Sequence, residues 1–460
     1  MAKVSELRIA GMTLSEITKI YVSSTLGKVS IALFAILIGA SIYAAVTLPP
    51  NFGSLWNNPL HWQIYPKDAP PAWVNYLSGN KYAPQIIITK EVSTQGNTVK
   101  LSFNVDNKYS VPWRELYIII KPMSGSSTFT AYLNIHRPDG SVITIGPLLI
   151  SSMYTEVGTT QQVEGQVTQF YLTKYGYMLI IPQGLSAAPY IFLTVSSGSL
   201  KPLKGVYEID LTLVSNNPSK GIGNRLISLV LEGDVYGLMG TDAVGHDLWL
   251  GLLAGFPLSL EVGVIFPLIS TAIAIAVGLT AGFIGGVVDE VLTRLTDFVI
   301  LIPAFVILVV LSVLLRLNLW QVMFYNVIFS WGGAARIIRS MTMQIRTAAY
   351  IELAKAGGAG NIWILRNHVL PQILPYALYL IVVGVPGTIL GLAGLNFLNL
   401  ANVNYPTWGN LLYYAEQYGA LESGMWWWVV PPGLLIVLVA VTFIVTALAI
   451  EPIVNPRLRR

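Results

Sequence analysis

Chemistry needs side chains that can hold a proton, a metal ion or a phosphate, and this chain is sparing with all three. There is no cysteine, so thiolate nucleophiles, thiolate metal sites and disulfides are ruled out. The four histidines, His61, His136, His246 and His368, lack the helical or ribbon spacing that would gather a metal. No Gly-x-x-x-x-Gly-Lys-Ser/Thr phosphate loop occurs. Its nearest fragment, Gly27-Lys28, is followed by Val29 and has Val22 where the first glycine belongs. Nucleophile elbows and paired carboxylates are also missing. Within the long apolar runs the single acidic candidate is Glu261, and a solvated position near the end of a span accounts for it. The chain is therefore expected to be no enzyme, to carry no cofactor of its own, and to draw its energy from outside.

One polar segment does invite a function, Tyr350 to Pro371. Glu352 to Ala359 favours helix, with Gly360-Asn361 as the left-handed turn that ends it. A second short helix is expected over Ile362 to His368, stopping before Pro371. Ala354, Ala356, Gly357, Gly358 and Ala359 are small enough for another protein to approach the backbone. A short helix of that kind suits a partner's groove. The plainer reading is a connector, but connectors are mostly shorter and lack helices of their own.

The elements around this segment follow from composition. The 460 residues are 54% hydrophobic and 11% charged, with a mean hydropathy of +0.62. Soluble domains carry about 25% charged residues, so this is a membrane chain. A net charge of +4 is too mild and too dispersed for nucleic acid. Val29–Leu48 is uncharged and long enough to cross a bilayer, which takes roughly 20 apolar residues. Lys3, Arg8, Lys19 and Lys28 precede it and hold its start in the cytoplasm. A cleavable signal peptide ending near Ala44-Ala45 is the alternative, but its charged and apolar parts would both be too long. Five further spans are expected, at 259–283, 298–315, 320–337, 376–395 and 427–450. The piece 248–256, ending at Pro257, is too short to cross and is expected at the membrane interface.

Residues 51–235 read differently. Short β-branched or alternating runs at 85–92, 98–105, 114–121, 128–135, 166–172, 191–195 and 206–214 are expected strands. Ser-Gly pairs, Pro138-Asp139-Gly140 and Asn216-Asn217-Pro218 supply turns. The expected fold is a polytopic α-helical membrane protein of six spans, with a β-rich, sandwich-like extracytoplasmic domain between the first and second. The division is 1–50, 51–235 and 236–460, with a cytoplasmic loop at 340–371. The connection between the fourth and fifth spans, expected inside, carries Arg336, Arg339, Arg346, Lys355 and Arg366, and Arg457, Arg459 and Arg460 stand at an expected cytoplasmic C-terminus. No Lys or Arg lies between Arg366 and Arg457, which satisfies the positive-inside rule. The loop with Asp289, Glu290, Arg294 and Asp297 stays ambiguous.

Four ordered motifs carry a resemblance. Glu352-Leu353-Ala354, then Gly358, Ile364 and Leu370-Pro371, resembles the cytoplasmic Glu-Ala-Ala loop of ABC importer permeases. Gly240-Thr241-Asp242, then Gly245-His246-Asp247, resembles the motif before the second span of the second permease in dipeptide/oligopeptide (and nickel or oligosaccharide) importers. Trp331 to Arg339, and Leu395 to Leu400 with Pro406 to Asn410, resemble that family's fourth-span exit and its loop before the last span. The resemblance covers residues 240 to the C-terminus. It implies alternating access in the cell membrane, with a second, homologous permease subunit, two ABC ATPase subunits holding ATP and magnesium, and an extracytoplasmic solute-binding protein. On that resemblance Glu352, Leu353, Ala354, Lys355, Gly358, Arg366 and Pro371 form the ATPase-coupling segment. Lys355 and Arg366 are candidates to pair with acidic groups of the partner. Three positions depart from the pattern: Leu353 for the usual alanine, His246 for arginine, and Asn399 for glycine. The β-rich insertion is foreign to it. Aromatics Trp56, Trp62, Trp73 and Tyr82 are candidates to stack on a sugar, or else core residues. The competing function is a membrane-anchored receptor, for which one span would suffice. A channel would need a filter that the sequence lacks.

Overall fold

The computed structural model describes residues 14–123, 128–217, 221–400 and 405–454. Lys3, Arg8, Pro218, Arg457, Arg459 and Arg460 lie outside them. The chain forms two compact units, one built on Leu250–Leu421 with the segments before Leu55 and after Trp428, the other on Leu55–Trp249 with Glu422–Trp428.

In the second unit, strands β1 (Ile86–Thr94), β2 (Thr98–Asn107), β3 (Glu115–Lys121), β4 (Phe129–His136), β5 (Val142–Ile150), β6 (Tyr154–Glu156), β7 (Leu193–Ser196), β8 (Ser199–Pro202), β9 (Gly205–Ser215) and β10 (Gly223–Glu232) follow in order. They make two four-stranded antiparallel sheets, β1-β10-β3-β6 and β2-β9-β4-β5, and a small β7-β8 hairpin. Alternation decides the faces: Phe129, Ala131, Leu133 and Ile135 of β4 are buried and the residues between them are not. Both sheets feed one core, with Ile118 and Leu229 from one and Phe103, Leu133 and Ile209 from the other. Pro138-Asp139-Gly140 turns β4 into β5, with Gly140 at φ 75°.

The run at 166–172 is not a strand. It lies in a helix, Gln161–Tyr175, capped by Thr160 and closed by left-handed Gly176. Val163, Val167 and Tyr171, four residues apart, are the residues it buries, so helical period rather than β-branching governs here. At 191–195, a helical turn Ala188–Ile191 precedes β7. Strands β5, β6, β8 and β10 went unread in the sequence. Trp56 and Trp62 are buried and unable to stack on a solute, which leaves Trp73 exposed among the tryptophans proposed.

Among the described residues, four helices are long and apolar enough to cross a membrane: Thr25–Thr47, Leu248–Ile284, Asn361–Phe397 and Trp426–Val454. A fifth crossing is available if Gly286–Leu301 and Ala304–Leu315, bent by 71° at their break, count as one. The expected straight span at 298–315 is thus broken, because Pro303 forces Ile302 out of the helical region. The expected span at 320–337 is divided between Leu319–Ser330 and Gly332–Arg346, with Trp331 between them.

The piece 248–256 is no separate interfacial segment. One helix runs from Leu248 to Ile284 through Pro257 and Pro267. Each proline removes one backbone hydrogen bond, a loss that burial of Leu253, Phe256, Val262 and Phe266 around it outweighs. Glu261 therefore sits well inside a helix, on an exposed face, and not near its end. Asn399 has φ 53°. That position requires left-handed backbone, which explains both the glycine of the pattern and why Asn is the substitute.

Candidate functional site

The Tyr350–Pro371 segment is held rigidly from one side. Helix Ala349–Ala356 ends in a Schellman motif: Gly358 N–H donates to Lys355 O at 3.0 Å and Ala359 N–H to Ala354 O at 3.0 Å. The left-handed residue is Gly358, at φ 83°, and not Gly360-Asn361; Gly360 is extended and precedes the next helical turn. That turn does not stop before Pro371. Asn361–Ile364 passes into a π-turn at Leu365–Val369 and then into Leu370–Phe397 as one 37-residue helix. The π-turn shifts the hydrogen-bond register, so the missing Pro371 N–H falls at the first turn of the next helix, where no partner is needed.

Ile351, Ile364, Val369 and Ile373 are fully buried, packed with Phe283, Ala335 and Ile338. The opposite face is bare. Leu353 is 72% exposed and Ile362 82% exposed, with Trp363 half-exposed beside them. Glu352, Gly358 and Arg366 are exposed and Ala354 is partly covered. Lys355 places its ammonium 5.3 Å over the Phe283 ring, a cation–π contact within this chain. Arg336 pairs with Asp297, and Arg339 takes Asp289 through two nitrogens. The acids of the ambiguous loop thus neutralise two of the arginines of the expected inner loop.

The second motif is folded inward. Asp242 Oδ1 accepts from the N–H groups of Val244, Gly245 and His246 at 2.8–2.9 Å. Asp242 Oδ2 lies 2.6 Å from His246 Nδ1, which must donate because a carboxylate only accepts. The His246 ring stacks on Trp56 at 4.3 Å and meets the edge of Trp62. His246 is therefore paired to Asp242 and not to Asp247, whose Oδ1 accepts from the Trp249 N–H. Thr241 Oγ1 accepts from Ala69 N–H. Gly240, at φ 73°, has Ala69 O only 2.3 Å from where a Cβ would stand, so no other residue fits.

A third feature escaped the sequence reading. A cleft of about 350 Å³ in the helical unit is lined by Ser270, Thr271, Asn326, Ser330 and Thr388 among apolar neighbours, with no charged residue. These five stand near the middle of the sequence-expected spans 259–283, 320–337 and 376–395. Ser270 and Ser330 share a hydrogen bond of 3.0 Å across two helices, and Thr388 donates to Gly384 O at 3.1 Å. Hydroxyl and amide groups recurring at mid-span in three runs are the signal in the sequence, and being uncharged they stand out less than an ionisable group would.

The family of binding-protein-dependent transport system inner membrane components matches residues 274–460. The helical part of this chain is similar to the permeases of that family. The match contains the Tyr350–Pro371 segment and excludes the β-rich strands. The dipeptide transport system permease of Bacillus subtilis (strain 168) is 29% identical to the permease over 222 residues, 48% of this chain and 69% of that protein. The nickel transport system permease of Escherichia coli (strain K12) is 28% identical over 195 residues, 42% of this chain and 70% of the other. An oligopeptide transport system permease of Mycobacterium tuberculosis (strain H37Rv) is 31% identical over 163 residues, 35% and 56% of the two chains. The permease is a multi-pass membrane protein and a transport subunit.

Proposed function

We propose that this permease works in an ATP-binding-cassette importer, and that residues 349–369 are where separate ATPase subunits drive it. The observation that carries this is the split character of the segment: Ile351, Ile364 and Val369 fix it to the helical core while Leu353 and Ile362 stand in the open. An apolar face so exposed on a rigid support is a docking surface. Force applied to it passes directly into the Asn361–Phe397 helix, because the π-turn leaves no hinge between them. Glu352 and Arg366, which make no ion pair among the described residues, supply polar contacts at its rim.

ATP and magnesium belong to the two ATPases. A second, homologous permease faces this one, and a solute-binding protein delivers the solute from outside. Both termini are cytoplasmic, residues 51–235 are extracellular, and the membrane is crossed six times, with the bent pair Gly286–Leu301 and Ala304–Leu315 as one crossing and the pair Leu319–Ser330 and Gly332–Arg346 as another. The mid-span cleft is this chain's share of the solute path, exposed alternately to either side. Its lining of hydroxyls and an amide, without charge, suits a peptide backbone or an oligosaccharide and offers a bare metal ion no compensating ligand. Relatives named for dipeptides, oligopeptides and nickel leave the peptide as the better supported solute class.

The test is co-purification of the ATPases with the wild-type permease and with Leu353→Asp/Ile362→Asp. The double variant is expected to insert normally and to lose the ATPases and ATP-driven uptake. Retention of both would end the docking assignment.

A further inference from the structure

The short helix Val74–Ser78 has its polarity reversed. Asn75, its amide side chain, is turned inward, donating to Tyr82 O at 2.8 Å and accepting from Tyr82 N–H at 3.0 Å. Tyr76 and Leu77 point outward and are 86% and 80% exposed. Trp73 precedes them by three and four residues, which puts the three side chains on one helical face. Trp73 donates through Nε1 to Leu238 O at 2.9 Å, and its ring lies 5.6 Å from that of Trp426. Leu238 and Trp426 are themselves exposed. Five large side chains from three separate segments of the β-rich unit thus form one uncovered patch.

What covers it is indicated by Trp426, which is the first residue of the Trp426–Val454 helix. The start of a span lies at the level of the lipid headgroups, where tryptophan and tyrosine concentrate because one end of each ring is apolar and the other wet. We infer that Trp73, Tyr76, Leu77, Leu238 and Trp426 form a lipid-binding face, by which the β-rich unit rests in the headgroup layer. The inference depends on Trp426–Val454 being a span. A face of this composition sinks a few ångströms into the acyl boundary and restrains the domain against the membrane plane.

The absence of native cysteine allows single nitroxide labels on the full chain. Tyr76→Cys, Leu77→Cys, Met178→Cys and Val437→Cys are labelled separately in nanodiscs of phosphatidylethanolamine and phosphatidylglycerol. Relaxation by oxygen, which partitions into lipid, is compared with relaxation by a water-soluble nickel chelate. Labels at 76 and 77 are expected to favour oxygen several-fold. The label at Met178, exposed elsewhere on the same unit, is expected to favour the chelate. Preference for the chelate at 76 and 77 would overturn the inference, and so would shielding from both reagents, which marks a protein partner. Val437 is exposed along the Trp426–Val454 helix; if its label also favoured the chelate, the span reading itself would fail. A variant below the wild-type melting temperature is replaced by Leu238→Cys.

Discussion

The two motif-bearing segments of this chain are built on opposite plans. At 240–247 nearly every polar group is answered from within: one carboxylate takes three backbone donors and a histidine, and two tryptophans close over that histidine. At 349–369 the backbone is as well ordered, through the Schellman motif and the π-turn, yet the outward side chains are left uncovered. A segment that satisfies itself serves the fold that contains it. A segment that is rigid and unsatisfied is completed by something else. Mutations in the first should therefore lower stability, and mutations in the second should lower coupling at constant stability.

The largest effect expected belongs to the second segment. Leu353→Asp/Ile362→Asp should cut ATP-driven uptake in proteoliposomes by more than about tenfold, since burying two charges in an interface costs several kcal/mol. Its melting temperature should not move, and a shift there would erase the contrast between the segments. Next comes Asp242→Ala, which strands three backbone donors and His246 in a buried site and should cost about 3 kcal/mol by denaturant unfolding. ATPase co-purification should persist in the molecules that fold.

The β-rich unit adds a pH test of self-satisfaction. Glu232 pairs across β10 and β3 with Glu115, and burial pushes its carboxyl up to about 7, with Tyr117 and Arg114 opposing the rise and Glu115 adding to it. Burial also raises Glu115. A carboxyl raised in the fold favours the protonated state, so its contribution is whole below about pH 4.5 and is lost as pH rises through about 7. The unit should lose stability between those values, by about 3 kcal/mol at most. Glu232→Gln should flatten that slope, read from melting temperatures at pH 5 and pH 8. The smallest effect is Lys355→Met, which removes the cation over Phe283 and should cost under about 1 kcal/mol in the exposed loop.

How much of this was legible in the residues varies with the range of the forces involved. The spans that rest on length and apolarity alone were plain, as at Thr25–Thr47 and Trp426–Val454. Strands with clean alternation, such as β2 and β9, were plain too. The Gln161–Tyr175 helix reads as a strand over 166–172 because Val167, Phe170 and Tyr171 satisfy β-propensity locally, while only the core packed against Val167 and Tyr171 selects the helical period. Pro257 reads locally as an end because proline is costly in an isolated helix. Whether that cost is met depends on neighbours far along the chain.

By itself the sequence determined that this protein is built for a membrane, that it contains no phosphate-loop motif, and that Glu352 to Pro371 resembles the Glu-Ala-Ala loop of importer permeases. Those are statements about composition and about residues close in the chain. Tertiary structure decided which face of that segment is bare, that His246 answers Asp242 and not Asp247, and that five polar side chains from three helices share one cleft. Each of these is a matter of which distant side chain arrives within a few ångströms, and hydrogen bonds and van der Waals contacts act over no longer range than that.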